Sequence, residues 1–439
     1  MNEQFWRALY SRIACPLLEL ALPLAARRRP NLREGLEGRR GVWERLESAL
    51  TRRDPAKPLI WFHVASAGEF LQAQPVMERF WRNSCECAVT FTSINGYKWG
   101  QRATFPAGQT PIVREYLPLD TAANMRRMLA VMRPTAIVYV QYDLWPNLLW
   151  EARAAHVPQF LISATIQPKS RRVASAPARS FYKSLYACLD GIFTVTDDDR
   201  RRFLSTNPTH PNIQVVGNTR FDSVLDRKKR VTPPRLPESF GGTFLFIAGS
   251  TWPPDEACIF PALRDALERQ PNFAAIIAPH EPTPEHLQLI EAFFQGIPQA
   301  RLTQLPPNAA PPVRLIVVDT VGVLSSLYSA ATLAYVGGAF TTGVHNVMEP
   351  AAMGLPVIFG PKHYNSAEAV DLLERGAAFS VATSEEFRAA LTRLLDAPET
   401  CRKLGQQAQQ RIEAQAGAAD RSFALIAERI PRLGGARGG

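Results

Sequence analysis

The chain lacks any close set of cysteines from which a metal site or a disulfide framework could be built. Its six cysteines, Cys15, Cys85, Cys87, Cys188, Cys258 and Cys401, are scattered, and Cys85-Glu86-Cys87 has no second pair at zinc spacing. Reduced, structural thiols in a cytosolic compartment are the expectation. His156, His210, His286 and His363 share no spacing that would make a metal site either. A long apolar run is also missing. The longest, 14 residues from Ile13 to Ala26, is interrupted by Pro16, Glu19 and Pro23, and falls short of the roughly 20 residues needed to span a bilayer. No basic block interleaved with aromatics occurs, which argues against a nucleic-acid stripe. No short repeat period or low-complexity tract is present. The one acidic run, Asp197-Asp198-Asp199, opens a helix after a strand and precedes three arginines, so it complements a helix dipole better than it holds a metal.

What is present points to two domains, because 439 residues, 46% of them hydrophobic, exceed what one core usually organises. The net charge of +10 is unevenly spread: residues 1–60 hold 12 Lys/Arg against 7 Asp/Glu, half of the excess. That segment begins with an amphipathic apolar stretch and reaches Arg27-Arg28-Arg29. An N-terminal helix over 1–30 is expected to anchor at an anionic membrane surface, with Phe5, Trp6 and Tyr10 at the headgroups and the arginines on the cytoplasmic side. Basic charge follows the apolar segment instead of preceding it, unlike a cleaved signal peptide.

From residue 58 short apolar runs alternate with amphipathic windows, the pattern of a parallel sheet flanked by helices. Six strands are expected in a first domain over 31–230: LIWFHVA, CAVTFTS, AIVYVQY, QFLISA, GIFTVT and IQVVG. The Pro- and Gly-rich stretch 231–242 reads as a linker. Six more, TFLFIAGS, FAAIIAP, VRLIVVD, TLAYVGG, LPVIFG and AAFSVA, build a second domain over 243–397. Helices over 398–439 are expected to pack back on the first. The fold class is therefore α/β, two doubly wound Rossmann-like domains facing across a cleft, with ligands at the carboxyl ends of the strands.

Three stretches carry chemistry. In WFHVASAGEF a strand breaks into Ser66-Ala67-Gly68 and sets Glu69 at a helix start; this fits the S-x-x-E capping box, so the residues alone leave a cap and a catalytic carboxylate both open. Gly249-Ser250-Thr251 leads into a helix N-terminus suited to an anion, or is an ordinary cap. In YVGGAFTTGVHNVMEP the pair Gly337-Gly338 ends a strand, and His345, Asn346 and Glu349 follow. Glycines admit a phosphate close to backbone, His and Asn donate, and Glu accepts from sugar hydroxyls.

With these stretches, LPLDTAANMRRMLAVMRP, YDLWPNLLWEA, VVGNTRFD, AGSTWPPDE, HNVMEPAAMGLPVIFGP and YNSAEAVDLL together resemble the 3-deoxy-D-manno-octulosonic acid (Kdo) transferases, which have the GT-B glycosyltransferase fold. The resemblance runs in order from about residue 33 to 375. It implies transfer of Kdo from CMP-Kdo, held by the second domain, to lipid A precursor (lipid IVA) presented from the cytoplasmic face of the inner membrane to the first. It further implies inversion in one displacement, a carboxylate base and no metal or other cofactor. On this resemblance Glu69 is the base. Asp143, in YDLWPN where the motif more often has Glu, and Lys169, Arg171 and Arg172, in a basic loop suited to phosphates, meet the acceptor; a solvated surface is the alternative for the three cations. Gly249, Ser250, Thr251, Gly337, Gly338, His345, Asn346 and Glu349 hold the donor, with Lys362 as a further contact.

Two departures stand out. Many relatives have Pro-Arg-His-Pro where this chain has Pro279-His280-Glu281-Pro282, so an arginine near the donor is missing, and His280 or Arg220 is expected to supply that contact. Val344 stands where a second glycine often precedes the histidine. A nucleotide-sugar epimerase of the same fold, or a non-catalytic nucleotide-sugar binding protein, is the alternative reading.

Overall fold

The computed structural model describes residues 3–168, 170–305 and 313–430, and omits the side chains of residues 171 and 173. The chain divides into two compact units, residues 1–223 with 416–439, and residues 224–415.

In the first unit seven parallel strands lie in the order β3-β2-β1-β4-β5-β6-β7. They are β1 (Leu59–Val64), β2 (Glu86–Phe91), β3 (Val113–Tyr116), β4 (Ala136–Val140), β5 (Gln159–Ala164), β6 (Gly191–Thr194) and β7 (Ile213–Val215). β1, β4 and β5 are buried along their whole length, as strands covered by helices on both faces must be, and this is why they read as continuous apolar runs. β3, VREY, is the strand the apolar pattern does not reveal. It is a short edge strand carrying Arg114 and Glu115, and edges are where charge belongs.

The helices that matter for the first unit are α1 (Glu3–Ala26), α2 (Pro30–Gly38), α3 (Ala67–Arg82) and α4 (Pro146–Ala154). α1 is one continuous 24-residue helix, longer than the apolar run suggested, and it is long and apolar enough to cross a membrane by length and composition. Its turn Tyr10–Ala14 is π-helical, just before Pro16, whose missing N–H cannot close an ordinary turn. One face docks on the unit. Trp6 Nε1 donates to Ser180 Oγ (3.0 Å), Arg7 pairs with Glu151 (2.8 Å), and Ser11 donates to Asn147 Oδ1 (2.5 Å). Trp6 and Tyr10 therefore do not point to headgroups; they pack inward against Phe181 and Trp150. The opposite face is a bare apolar row, Phe5, Leu9, Ile13, Leu17, Leu20 and Leu24, with Leu20 72% exposed, and the spacing keeps all six on one side.

Helix α5 (Thr219–Lys228) crosses the division. The second unit has seven parallel strands in the order β10-β11-β9-β8-β12-β13-β14: β8 (Phe244–Thr251), β9 (Phe273–Pro279), β10 (Gln299–Arg301), β11 (Leu315–Val317), β12 (Leu333–Val336), β13 (Val357–Phe359) and β14 (Ala378–Ser380). β10 is the edge strand missing from the sequence pattern here. α6 (Pro253–Arg269) follows β8. α7 (Pro398–Ala414) stays with this unit, its Cys401 in the core with Phe246 and Tyr335. The chain returns to the first unit only at residue 416, later than the 398 expected. There Asp222 accepts from Gly417 and Ala419 N–H and so caps α8 (Ala418–Ala427).

In each sheet the strand order reverses at one place, between β1 and β4 and between β8 and β12. Crevices at such switch points, outside the carboxyl strand ends, are where open α/β sheets bind ligands.

Candidate functional site

At the first switch point the end of β1 turns into α3. Ser66 is the N-cap and accepts from Glu69 N–H (3.3 Å), while the Glu69 carboxylate accepts from Ala65 N–H (2.5 Å). This reaches one residue farther back than the capping box expected from S-x-x-E, so Glu69 braces the strand end and not the cap residue itself. Its side chain is 4% exposed. Burial pushes its carboxyl up to about 7; the Ala65 and Ser66 backbone contacts oppose the rise and the charge of Asp143 adds to it.

Asp143, after β4, is the opposite case. Burial raises it, but His63, Thr92 and Trp145 outweigh that, and its carboxyl lies below the usual range. His63 Nε2 (3.1 Å), Thr92 Oγ1 (3.0 Å) and Trp145 Nε1 (3.2 Å) all meet Asp143 Oδ2. On the far side of the ring Thr90 Oγ1 accepts from Trp61 Nε1 and lies 2.9 Å from His63 Nδ1, so both ring nitrogens of His63 are held. His63 and Thr92 were not singled out from sequence. A histidine inside an apolar strand usually satisfies itself in the core, and only the register beside β4 reveals what it holds.

Arg172 is also brought to this loop. It donates to Tyr142 O (3.2 Å) and lies over the rings of Tyr142 and Tyr182. Lys169 and the Arg171 side chain lie outside the described residues. Asp120 completes the floor: its carboxylate caps α4 through Asn147 and Leu148 N–H (3.0 Å each), and burial pushes it up to about 7 against those donors.

The second switch point is built from backbone. A side chain at Gly337 would collide with Ser250 O, and Gly338, with φ +94°, lies against His345 and Gly343. Both positions therefore demand glycine. Asp255 in the first turn of α6 ties the loops together, accepting from Trp252 N–H and Gly338 N–H (3.0 Å each) and from Tyr335 O–H (2.8 Å). Gly249 sits under Tyr328, where a side chain would meet the phenol oxygen. Ser250, at φ +55°, directs its half-buried side chain from the same turn. Thr251 is fully buried and donates to Glu256 (2.7 Å), which also holds His286 (2.8 Å). Its hydroxyl is thus spent on structure.

His280 and His345 stack, with ring centroids 4.5 Å apart and planes 10° from parallel, and the Trp252 ring also packs on His280 at 4.7 Å. Trp252 Nε1 donates to His345 Nε2 (3.1 Å), so His345 is the neutral, Nδ1-protonated tautomer. Burial and then neighbouring His280 hold its pKa below the ordinary value, against the pull of Asp255.

Asn346 Nδ2 donates to Glu349 Oε1 (3.0 Å), and Arg227 pairs with the same oxygen (3.0 Å). Arg227 was not foreseen. It lies on α5 seven residues after Arg220, whose backbone N–H donates to Asn218 Oδ1 (3.0 Å). Lys362 donates to Thr341 O (3.1 Å) and so braces the glycine loop from outside.

The family model for 3-deoxy-D-manno-octulosonic-acid transferase (kdotransferase) matches residues 39–223. The chain is 28% identical over 394 residues to the 3-deoxy-D-manno-octulosonic acid transferase of Bordetella pertussis, covering 87% of this chain and 91% of that protein. It is 23% identical to the Haemophilus influenzae protein of the same name, over 97% and 99%. Among solved structures, UDP-GlcNAc 2-epimerase from Neisseria meningitidis superposes with a TM-score of 0.56 at 13% identity, over 86% of this chain and 100% of that one. MurG from Acinetobacter baumannii does so at 0.50 and 14%, over 85% and 99%. At such identities these two speak for the fold alone. Together with the two seven-stranded sheets, the matches make the chain a glycosyltransferase of the GT-B fold, related to the 3-deoxy-D-manno-octulosonic acid transferases.

Proposed function

We propose that the protein transfers Kdo from CMP-Kdo to a lipid A precursor in lipopolysaccharide biosynthesis, with inversion, working at the cytoplasmic face of the inner membrane. The observation that carries the reading is Glu69, a buried carboxyl raised to about 7 at the β1–β4 switch point. A group so tuned takes a proton near neutrality. In the proposed step Glu69 removes the proton of an acceptor hydroxyl, the oxygen forms a bond to the anomeric carbon of Kdo, and the bond to CMP breaks with its electron pair leaving on the phosphate. Asp143 stays ionised beside it and keeps Glu69 basic by repulsion. The first unit takes the acceptor and the second the donor, with Glu349 accepting from the ribose and the Gly337-Gly338 turn, Ser250 and His280 around the phosphate.

The apolar row on α1 supports a membrane-borne acceptor and disfavours an epimerase acting on soluble sugars. Because its other face is pinned by Arg7, Ser11 and Trp6, α1 lies in the membrane surface instead of crossing it in this reading. The test is incubation of the purified protein in detergent with CMP-Kdo and lipid A precursor. Kdo-modified lipid and CMP are expected from wild type and not from Glu69→Ala; absence of product from wild type, or full activity in the variant, overturns the reading.

A further inference from the structure

We infer that a cavity between α1 and α2 in the first unit binds an acyl chain of the acceptor, an inference that rests on the acceptor reading above and deepens it. The cavity measures about 980 Å³ and is walled by Leu18, Leu22, Leu32, Leu36, Ile94 and Leu119. This is the upper end of the size of small-molecule pockets and, like them, mostly apolar with a few placed polar groups.

Its two ends differ. One wall is formed by Leu18 and Leu22 of α1, and Leu18 is half exposed, so the cavity opens to the surface beside the helix whose outer face carries the apolar row. At the other end stand Thr92 and Trp145, the two side chains that, with His63, hold Asp143. A chain entering from the membrane side therefore leads its sugar toward the strand ends that carry Asp143 and Glu69.

The rim supplies charge complementarity for a phosphorylated lipid. Arg28 and Arg29, in the turn between α1 and α2, line it together with Glu19, and neither arginine has an acidic partner among the described residues. Arg39 is different: its guanidinium is committed to Leu117, Gly35 and Thr92 carbonyls. Asp120 at the floor is likewise committed to capping α4. Two free guanidinium forks above a leucine-walled cavity suit a phosphate attached to a hydrocarbon tail.

The experiment compares kcat/KM of the full chain, in detergent, for acylated and for O-deacylated acceptor. Wild type is expected to prefer the acylated form at least tenfold. Gly35→Leu fills the cavity: Gly35 lines it, and a side chain there has room for its first carbon at 3.6 Å from Ile94, while leucine favours the helix more than glycine. It should cut the preference at least tenfold, and Leu22→Ala, which removes part of the wall, severalfold. A thermal melt checks that Gly35→Leu is folded; if it is not, Leu22→Ala gives the same reading. If a bulk phospholipid fills the cavity instead, both acceptors slow alike and the ratio stays, which overturns the inference. Equal use of the two acceptors by wild type overturns it too. Failure of wild type to transfer Kdo to either acceptor is distinguishable from both, since it refutes the transferase reading and this inference with it.

Discussion

The two sheets furnish their switch points with different chemistry. Beside β1 and β4 the polar groups are carboxylates held in opposite states: Glu69 pushed up by burial, Asp143 pulled down by three donors. Beside β8 and β12 the working surface is glycine backbone and a Trp-His-His stack, and its most buried carboxylate, Asp255, is consumed in tying loops together. A raised carboxyl next to a fixed anion is a proton acceptor. A close-approach backbone with neutral rings is a cradle for a ligand that brings its own charge and leaving group. Under the proposed function the difference corresponds to proton transfer in the first unit and donor binding in the second, and it can be broken on either side.

The largest effect belongs to Glu69→Gln, which keeps the shape and the acceptor for Ala65 N–H but cannot take a proton. Turnover at saturating substrates should fall by about 100-fold or more, with CMP affinity by calorimetry unchanged. Turnover within threefold of wild type would remove the proton acceptor from the first unit and collapse the contrast.

Next comes stability against pH. Glu69 has a folded pKa of about 7 against an ordinary 4.5, so between those values the folded protein holds a proton that the unfolded chain releases. Its contribution is fully present below the unfolded value and is lost as pH rises through the folded one. The difference corresponds to about 3 kcal/mol. Glu69→Gln should therefore gain up to that much relative to wild type between pH 5 and pH 8, measured by urea denaturation at both.

Glu349→Gln tests the other side. The amide still reaches Asn346, but the charge facing Arg227 is lost, and hydrogen bonds to charged groups are worth about 1.5–3 kcal/mol. Donor KM should rise by about tenfold or more, with a smaller change in kcat. An equal fall in kcat with KM unmoved would shift Glu349 from donor binding to the chemical step.

Much of this was legible in the sequence because the signals were local. Buried parallel strands show as continuous apolar runs, the S-x-x-E pattern places Glu69 at a helix start, and the glycines after β12 mark close backbone approach. Less legible was whatever depends on which strands become neighbours. β3 and β10 are edge strands with little apolar content, so they left no run to read. His63 looked like a core residue and is one, yet it points along β1 to Asp143, 80 residues later. Arg227 meets Glu349 across 122 residues, and Thr251 looked like an anion-binding hydroxyl but donates its hydrogen bond to Glu256. Trp6 and Tyr10 were misplaced for a related reason: aromatics near a membrane face two apolar environments, and only Ser180 and Trp150 tell which one they chose.

The smallest expected effect is the sharpest test of the cradle. Trp252→Phe retains a ring to stack on His280 but removes the Nε1–H that His345 Nε2 accepts. A neutral hydrogen bond contributes about 1 kcal/mol, so donor KM at pH 8 should rise about fivefold while kcat is nearly kept. The change also frees Nε2 to take a proton that the indole now blocks. As the pH is lowered, the variant should recover donor affinity, because a protonated His345 attracts the donor phosphate that the neutral ring only contacts. Wild type, with its Nε2 occupied, should show a flatter response. Parallel pH profiles for the two proteins would mean that the indole positions the ring without setting its charge, and the second unit would then bind its anion through backbone alone.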